Sequence, residues 1–445
     1  MYLSRQLADD LFGKVLKYSC APETEASITG LSYSLTRFAN NTIHQNVAEE
    51  DVNISVRAIT EHRTARASTN RFDDDSIRQV CERALSLAAL QPPDPELLPL
   101  ASPQTYRSLD RHDAETADLS PTARAEAVGR VIQRAESDHL TSAGVFSSGS
   151  MTQALYNSRG LCAYHAESVS EFSVTMLGNS SSGWAKRTGP RWQGLEIEEA
   201  ADRAARKAIQ SQEPRELSPG KYTVILEPAA ILDLLGFMLL DFGGLAVREK
   251  RSSLTGRVNQ KVFGENIQIR DDVFHPLQSG PPFDGEGIPR QRVTLVEDGV
   301  VKNLVYSRQS ARATGTAPTG HGFPLPNEYG EAPLNIVIEG DRHTREEMIR
   351  SVSEGLLVTR LWYIREVDPY KKIVTGMTRD GTFWIENGEL KYGVKNFRFN
   401  ESLIDMLNKV EMMGRPERAA GEESIEMIVP AMKVREFNFS SLTKF

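Results

Sequence analysis

The residues able to do chemistry are few and far apart. The eight histidines are His44, His62, His112, His139, His165, His275, His321 and His343, and the nearest two, His44 and His62, stand 18 positions apart. Ligands on one helical face need a spacing of about three or four residues, so no helix can offer two of these imidazoles to one metal ion. The cysteines are Cys20, Cys81 and Cys162, with no CxxC among them. An odd, scattered set is not a disulfide framework and suits a reducing compartment. Phosphate loops (GxxxxGKS/T), dinucleotide turns (GxGxxG after a strand) and nucleophile elbows (GxSxG) are absent.

Two loops remain as candidate ligand sites. PPFDGEGIPRQR, residues 281–292, sets Asp284 and Glu286 two apart, with Gly287 beside them. Glycine and proline predict a stiff, exposed loop from which carboxylates could reach a ligand; the plainer reading is a solvated turn leading into a hairpin. GTAPTGHGFPLP, residues 315–326, holds Thr319, Gly320 and His321. Its glycines would let backbone amides approach a ligand, and an imidazole exchanges protons near neutrality. The plainer reading there is an ordered surface loop. A third segment, residues 229–241, reads as a buried apolar helix followed by a solvated run containing Arg248, Glu249, Lys250 and Arg251.

The elements that must position these loops follow from periodicity. Residues 2–18 have helical spacing. Residues 27–69 read as strands, with Val52, Ile54, Val56 and Ala58 alternating against polar neighbours. A helix capped by Asp73 to Asp75 follows, and then a proline-rich connector at 91–103. Ser120-Pro121 opens a second helix running to about residue 136. Strands are expected over 145–177 and a third helix over 196–212. The polar segment 212–220, with Pro214, Pro219 and Gly220, predicts a boundary between a domain over 1–212 and another over 221–445. Beyond it, a strand at 222–226 leads into the apolar helix. Asp298-Gly299 and Asn387-Gly388 announce two hairpins that share turn chemistry rather than a repeat. Short helices are expected over 344–354 and 401–410. The fold class is α+β: a strand-rich N-terminal domain with covering helices, then a mostly antiparallel C-terminal β domain with helices.

Composition bounds the function. The 445 residues carry 52 Lys+Arg against 60 Asp+Glu, a net charge of −8. A mildly acidic chain of this kind is a poor ligand for phosphate backbones, so no nucleic acid partner is expected. Forty per cent hydrophobic and 25% charged residues exclude disorder, collagen and coiled coil. Asp9 and Asp10 interrupt the N-terminal run, and Asp233, Gly236 and Asp241 interrupt the most apolar one. Neither an export signal nor a membrane span is expected, and the compartment is read as cytoplasmic.

In their order along the chain, these segments resemble the TldD/PmbA family. The resemblance rests on RFANNTIHQN (37–46), VNISVRAITEHRTARASTN (52–70), VILEPAA, RSSLTGRV, FDGEGIPRQRVTLVEDGVVKNLVYSRQSARATG, APTGHGF and VKNFRFNESLIDMLNKVEMMG, which span nearly the whole chain. It implies a zinc-protease scaffold acting on peptides. In that family a TldD-type subunit carries an HExxxH helix and a later cysteine as zinc ligands, and a PmbA-type (TldE) subunit lacks them. Here the corresponding helix reads LLGFMLLD: Gly236 stands at the first histidine, Phe237 at the glutamate and Asp241 at the second histidine. No cysteine follows Cys162. The resemblance therefore implies a non-catalytic, PmbA-like subunit without metal or other cofactor. Its expected partner is a TldD-like zinc protease subunit in a heterodimer, or itself in a homodimer, acting on peptide substrates or in peptide maturation. Asp284, Glu286, Gly287, Thr319, Gly320 and His321 are the candidate peptide-binding positions. The alternative is a stand-alone peptide-binding or scaffold protein, possible as a homodimer; new chemistry on Asp284, Glu286 and His321 lacks a legible nucleophile–base pair.

Overall fold

The computed structural model describes residues 3–443. Three sheets form among the described residues. The first half begins with helix α1 (Arg5–Tyr18); its expected start at Tyr2 lies outside the described residues. The long hairpin β1 (Glu23–Ala39) and β2 (Thr42–Thr60) follows, turning through Asn40 and Asn41 at φ 51° and 55°. Asparagine tolerates this left-handed region better than most residues. Next come β3 (Arg63–Thr69), α2 (Asp74–Leu90), α3 (Ala114–Ala117), α4 (Pro121–Ser137), β4 (Thr141–Asn157), β5 (Cys162–Leu177), β6 (Ser182–Gly189) and α5 (Ile197–Gln210). The strands pair antiparallel in the order β3-β2-β1-β4-β5-β6.

Alternation decides which face is covered. Ala26 and Ile28 of β1 join Val52, Ile54 and Val56 of β2 under α1 and α2. Phe38, at the other end of β1 and on the same pleat side, joins Phe146 and Phe172 under α4 and α5. Burying each of these larger side chains contributes about 2 kcal/mol. The expected caps form: Asp73 accepts the Ser76 N–H at 2.9 Å and Ser120 the Ala123 N–H at 3.1 Å.

The second half opens with β7 (Gly220–Leu226), α6 (Pro228–Leu235), a 3-10 segment (Gly236–Phe242) and α7 (Gly244–Arg248). Then come β8 (Ile269–Asp271), β9 (Val293–Glu297), β10 (Val300–Val301), α8 (Arg308–Thr314), β11 (Ile336–Ile338) and α9 (Arg345–Arg350). The chain continues as β12 (Glu354–Asp368), β13 (Ile373–Glu386), β14 (Glu389–Gly393), β15 (Phe397–Ser402) and α10 (Leu403–Asn408). It ends with β16 (Val410–Met413), β17 (Glu417–Ala419), β18 (Met427–Val429) and β19 (Met432–Leu442). One sheet runs β10-β9-β8-β11-β18-β17, and the other β12-β7-β19-β15-β13-β14. An additional β12–β13 pairing closes the latter path into a ring. Phe397, Phe399, Phe437 and Phe439, all 0–1% exposed, stack in its core, with Phe397 and Phe439 centroids 4.8 Å apart. Among the strands of the described residues only β11–β18 and β7–β12 pair in parallel, so the fold is α+β with a mostly antiparallel C-terminal part.

Both predicted hairpin turns form, with φ 51° and 72° at Asp298-Gly299 and 50° and 75° at Asn387-Gly388. The first hairpin is shorter than its sequence suggests, because the chain leaves the sheet after Val301. The expected helix over 229–241 is also broken: α-helical turns stop at Leu235 and tighten to 3-10 at Gly236, a poor helix former. Among the described residues no helix is long and apolar enough to cross a membrane.

Candidate functional site

Helix α6 leads into the 3-10 segment that carries the aligned motif positions. Pro228 at its first turn and the apolar run that follows dock it into the C-terminal core. Asp233, fully buried, accepts the backbone N–H groups of Glu422, Glu423 and Ser424 at 3.3, 3.0 and 3.2 Å, pinning that loop across the helix. Burial pushes this carboxyl up to about 6 against those donors. The loop leaves no room at Gly236, where a Cβ would lie 2.2 Å from Ser424 Oγ. Phe237 packs against the core. Asp241 is 3% exposed; its Oδ1 accepts the Ser253 N–H at 2.7 Å and its Oδ2 lies 2.6 Å from Lys372 Nζ.

These residues do not fit a zinc ion. One position has no side chain and no space for one, the second is aromatic, and the third already faces an ammonium. Among the described residues, no group of three or more His, Cys, Asp or Glu side chains converges to hold a metal.

The two candidate loops come together, but not as exposed ones. Asp284 and Glu286 are each 4% exposed and His321 is 1% exposed, which overturns both the exposed-loop and the solvated-turn readings. The reason is backbone accounting: a glycine- and proline-rich segment without regular structure needs side-chain acceptors for its buried N–H groups. Asp284 Oδ1 accepts from Glu286 N and Ile288 N, both at 2.9 Å, and Oδ2 from Gly322 N at 2.8 Å. Glu286 Oε2 accepts the Arg308 N–H at 2.8 Å. Gly287, at φ 77°, offers its carbonyl to the Tyr106 hydroxyl at 2.8 Å. Gly320, at φ 75°, passes so close to Pro289 that a Cβ would lie 2.3 Å from its carbonyl oxygen.

Burial, then the neighbouring Asp284 charge, pushes Glu286 up to about 7, and burial also raises Asp284. His321 is held from both sides, with Nδ1 2.9 Å from Thr319 Oγ1 and Nε2 2.9 Å from Asp271 Oδ1. Burial alone would raise Asp271, but His321, Arg290 and the Asn335 N–H together pull it below the usual carboxylate range. Tyr106 of the first half thus joins the candidate loops at Gly287, and every candidate carboxylate is engaged by a neighbour.

Sequence reasoning missed Lys372, Asp233 and the buried Lys207–Glu227 pair, which Arg345 flanks at 3.4 Å from Glu227. The usable signal was a lone charge inside an apolar run, as at Asp233; Lys372 sits in KKIVTG and offers none. The run after α7 is solvated as read, with Arg251 Nη2 2.6 Å from Glu249. A cleft of about 1100 Å³ lies elsewhere, between the β5–β6 turn and β13, lined by Ser180, Ser182, Thr382 and Lys395 among others.

Comparison with known proteins places this geometry. Family models of the PmbA/TldA metallopeptidase match three stretches: domain 1 over residues 25–88, the central domain over 111–212 and the C-terminal domain over 219–441. The chain is 25% identical over 428 residues to "Metalloprotease PmbA" of Escherichia coli O157:H7, covering 91% of this chain and 90% of that one. It is 23% identical over 406 residues to "Metalloprotease TldD homolog" of Buchnera aphidicola, covering 84% and 81%. Its fold matches the crystal structure of TldE from Thermococcus kodakarensis with a TM-score of 0.87 at 23% identity, over 97% of this chain and 99% of that one. A chain matched along nearly its full length by all three domain models belongs to the PmbA/TldD metallopeptidase family.

Proposed function

We propose that this chain is a non-catalytic, PmbA/TldE-like subunit that pairs with a TldD-like zinc-bearing subunit and helps enclose the peptide it cleaves. The observation that carries this reading is the state of the motif positions: Gly236 closed off by Ser424, and Asp241 engaged by Lys372. Zinc peptide hydrolysis needs ligands to fix the ion and a carboxylate to take the proton from its water. None of the three positions supplies its part. The test is to purify the chain alone and with the TldD-like protein of its own genome, then measure bound zinc and peptide cleavage. The chain alone is expected to hold no stoichiometric zinc and to leave peptides intact, while the pair co-elutes and cleaves. Stoichiometric zinc with proteolysis by the isolated chain would overturn the proposal.

A further inference from the structure

Lys372 sits on the turn between β12 and β13, at φ 50°, a backbone region in which lysine has no intrinsic advantage. Its side chain is only 6% exposed. The ammonium lies 2.6 Å from Asp241 Oδ2, 2.8 Å from Glu366 Oε1 and 3.2 Å from the carbonyl oxygen of Phe237. Both parts of this cage are fixed. The Asp241 carbonyl accepts the Ser252 hydroxyl at 2.7 Å, and the Lys372 carbonyl accepts the Leu403 N–H at 2.9 Å.

Two carboxylates and a carbonyl from two separate elements thus converge on one positive charge. Such an all-oxygen set, carrying two formal negative charges, is also what a hard divalent cation requires. Leaving Asp241 buried without its counter-charge would be costly, because a buried ion stripped of its partner keeps its desolvation penalty. Glu366 is 34% exposed, so the cage opens to solvent on one side and an ion could enter if the ammonium were gone.

We infer that Lys372 is a built-in cation: its ammonium fills an oxygen-lined cation site joining the 3-10 segment to the β12–β13 turn, and that site takes a small divalent cation once the ammonium is removed. The inference does not depend on the subunit role proposed above, and its test reads neither zinc content nor peptidase activity of the native chain.

The experiment compares the full chain with Lys372→Met, which keeps length and apolar stem but removes the charge. Thermal unfolding is followed with added Mn²⁺, Ca²⁺ or EDTA. K372M is expected to melt roughly 10 °C lower, from the loss of one buried ion-pair partner. Mn²⁺ or Ca²⁺, on the order of a millimolar, should restore it saturably, and EDTA should reverse the gain. The unsubstituted chain should respond to neither. The double variant K372M/D241N should lose the cation response and recover part of the stability. Unchanged melting of K372M, a drop that no cation restores, or an equal response from the unsubstituted chain would overturn the inference. Should K372M fail to fold, the double variant decides: recovered folding supports the inference and continued failure overturns it.

Discussion

A buried carboxyl titrates according to what has replaced water around it, and Glu286 is the clearest instance in this chain. Burial and Asp284 raise it to about 7, while the Arg308 N–H and the charges of Arg308 and Arg57 oppose them. Its ordinary value is 4.5, so between pH 4.5 and about 7 the folded chain keeps a proton that the unfolded chain has released. Stability contributed by this group is therefore complete below pH 4.5 and declines as pH rises through 7. Glu286→Gln keeps the shape and removes the ionisation. Going from pH 4.5 to 8, the native chain should lose on the order of 3 kcal/mol relative to E286Q in urea unfolding. A pH-independent difference would show that the charged carboxylate is compensated in place. The sequence revealed at this scale that DGEG is irregular backbone with two acids. It could not reveal burial, because glycine and proline report the chain's local freedom and not what packs on top of it.

At the scale of elements the sequence was more legible, since caps and turns are local. Asp73→Ala removes one side-chain acceptor from an exposed helix start and should cost about 1 kcal/mol. Gly299 serves two masters. Its φ of 72° suits the hairpin turn, and a Cβ there would lie 2.2 Å from the Phe263 carbonyl oxygen. Gly299→Ala should therefore cost about 3 kcal/mol, combining left-handed strain with a clash against backbone. Urea midpoints of the two variants measure this contrast, and equal costs would mean that the turn relaxes around alanine. Strands β12 and β19 were not legible in the same way. They close the second half's ring against β7, far along the chain, and their burial does not simply alternate: β12 holds buried residues at seven consecutive positions.

At the scale of the whole molecule, the halves are fastened by donors of the first half on carbonyls of the second. Arg111 donates to Gly280 at 2.8 Å and Val273 at 2.5 Å, Arg66 to Leu325 at 2.8 Å, and Lys186 to Gly421 at 3.1 Å. Glu167 completes the pattern by accepting the Gly280 N–H at 2.8 Å. Arg111→Ala orphans two carbonyls at once, so amide exchange over residues 273–280 should accelerate roughly tenfold or more, about 1.4 kcal/mol of local opening. Unchanged protection there would mean that the junction does not depend on this guanidinium. The sequence by itself determined the inventory: α+β elements, their caps and turns, and the absence of histidine, glutamate and cysteine from the motif positions. Those properties belong to neighbours along the chain or to residue identity alone. Tertiary structure decided that Asp284 meets the Gly322 N–H 38 positions away and that Lys372 reaches the Phe237 carbonyl across 135. Burial and charge pairing depend on which distant segments share a volume, and no local pattern encodes that.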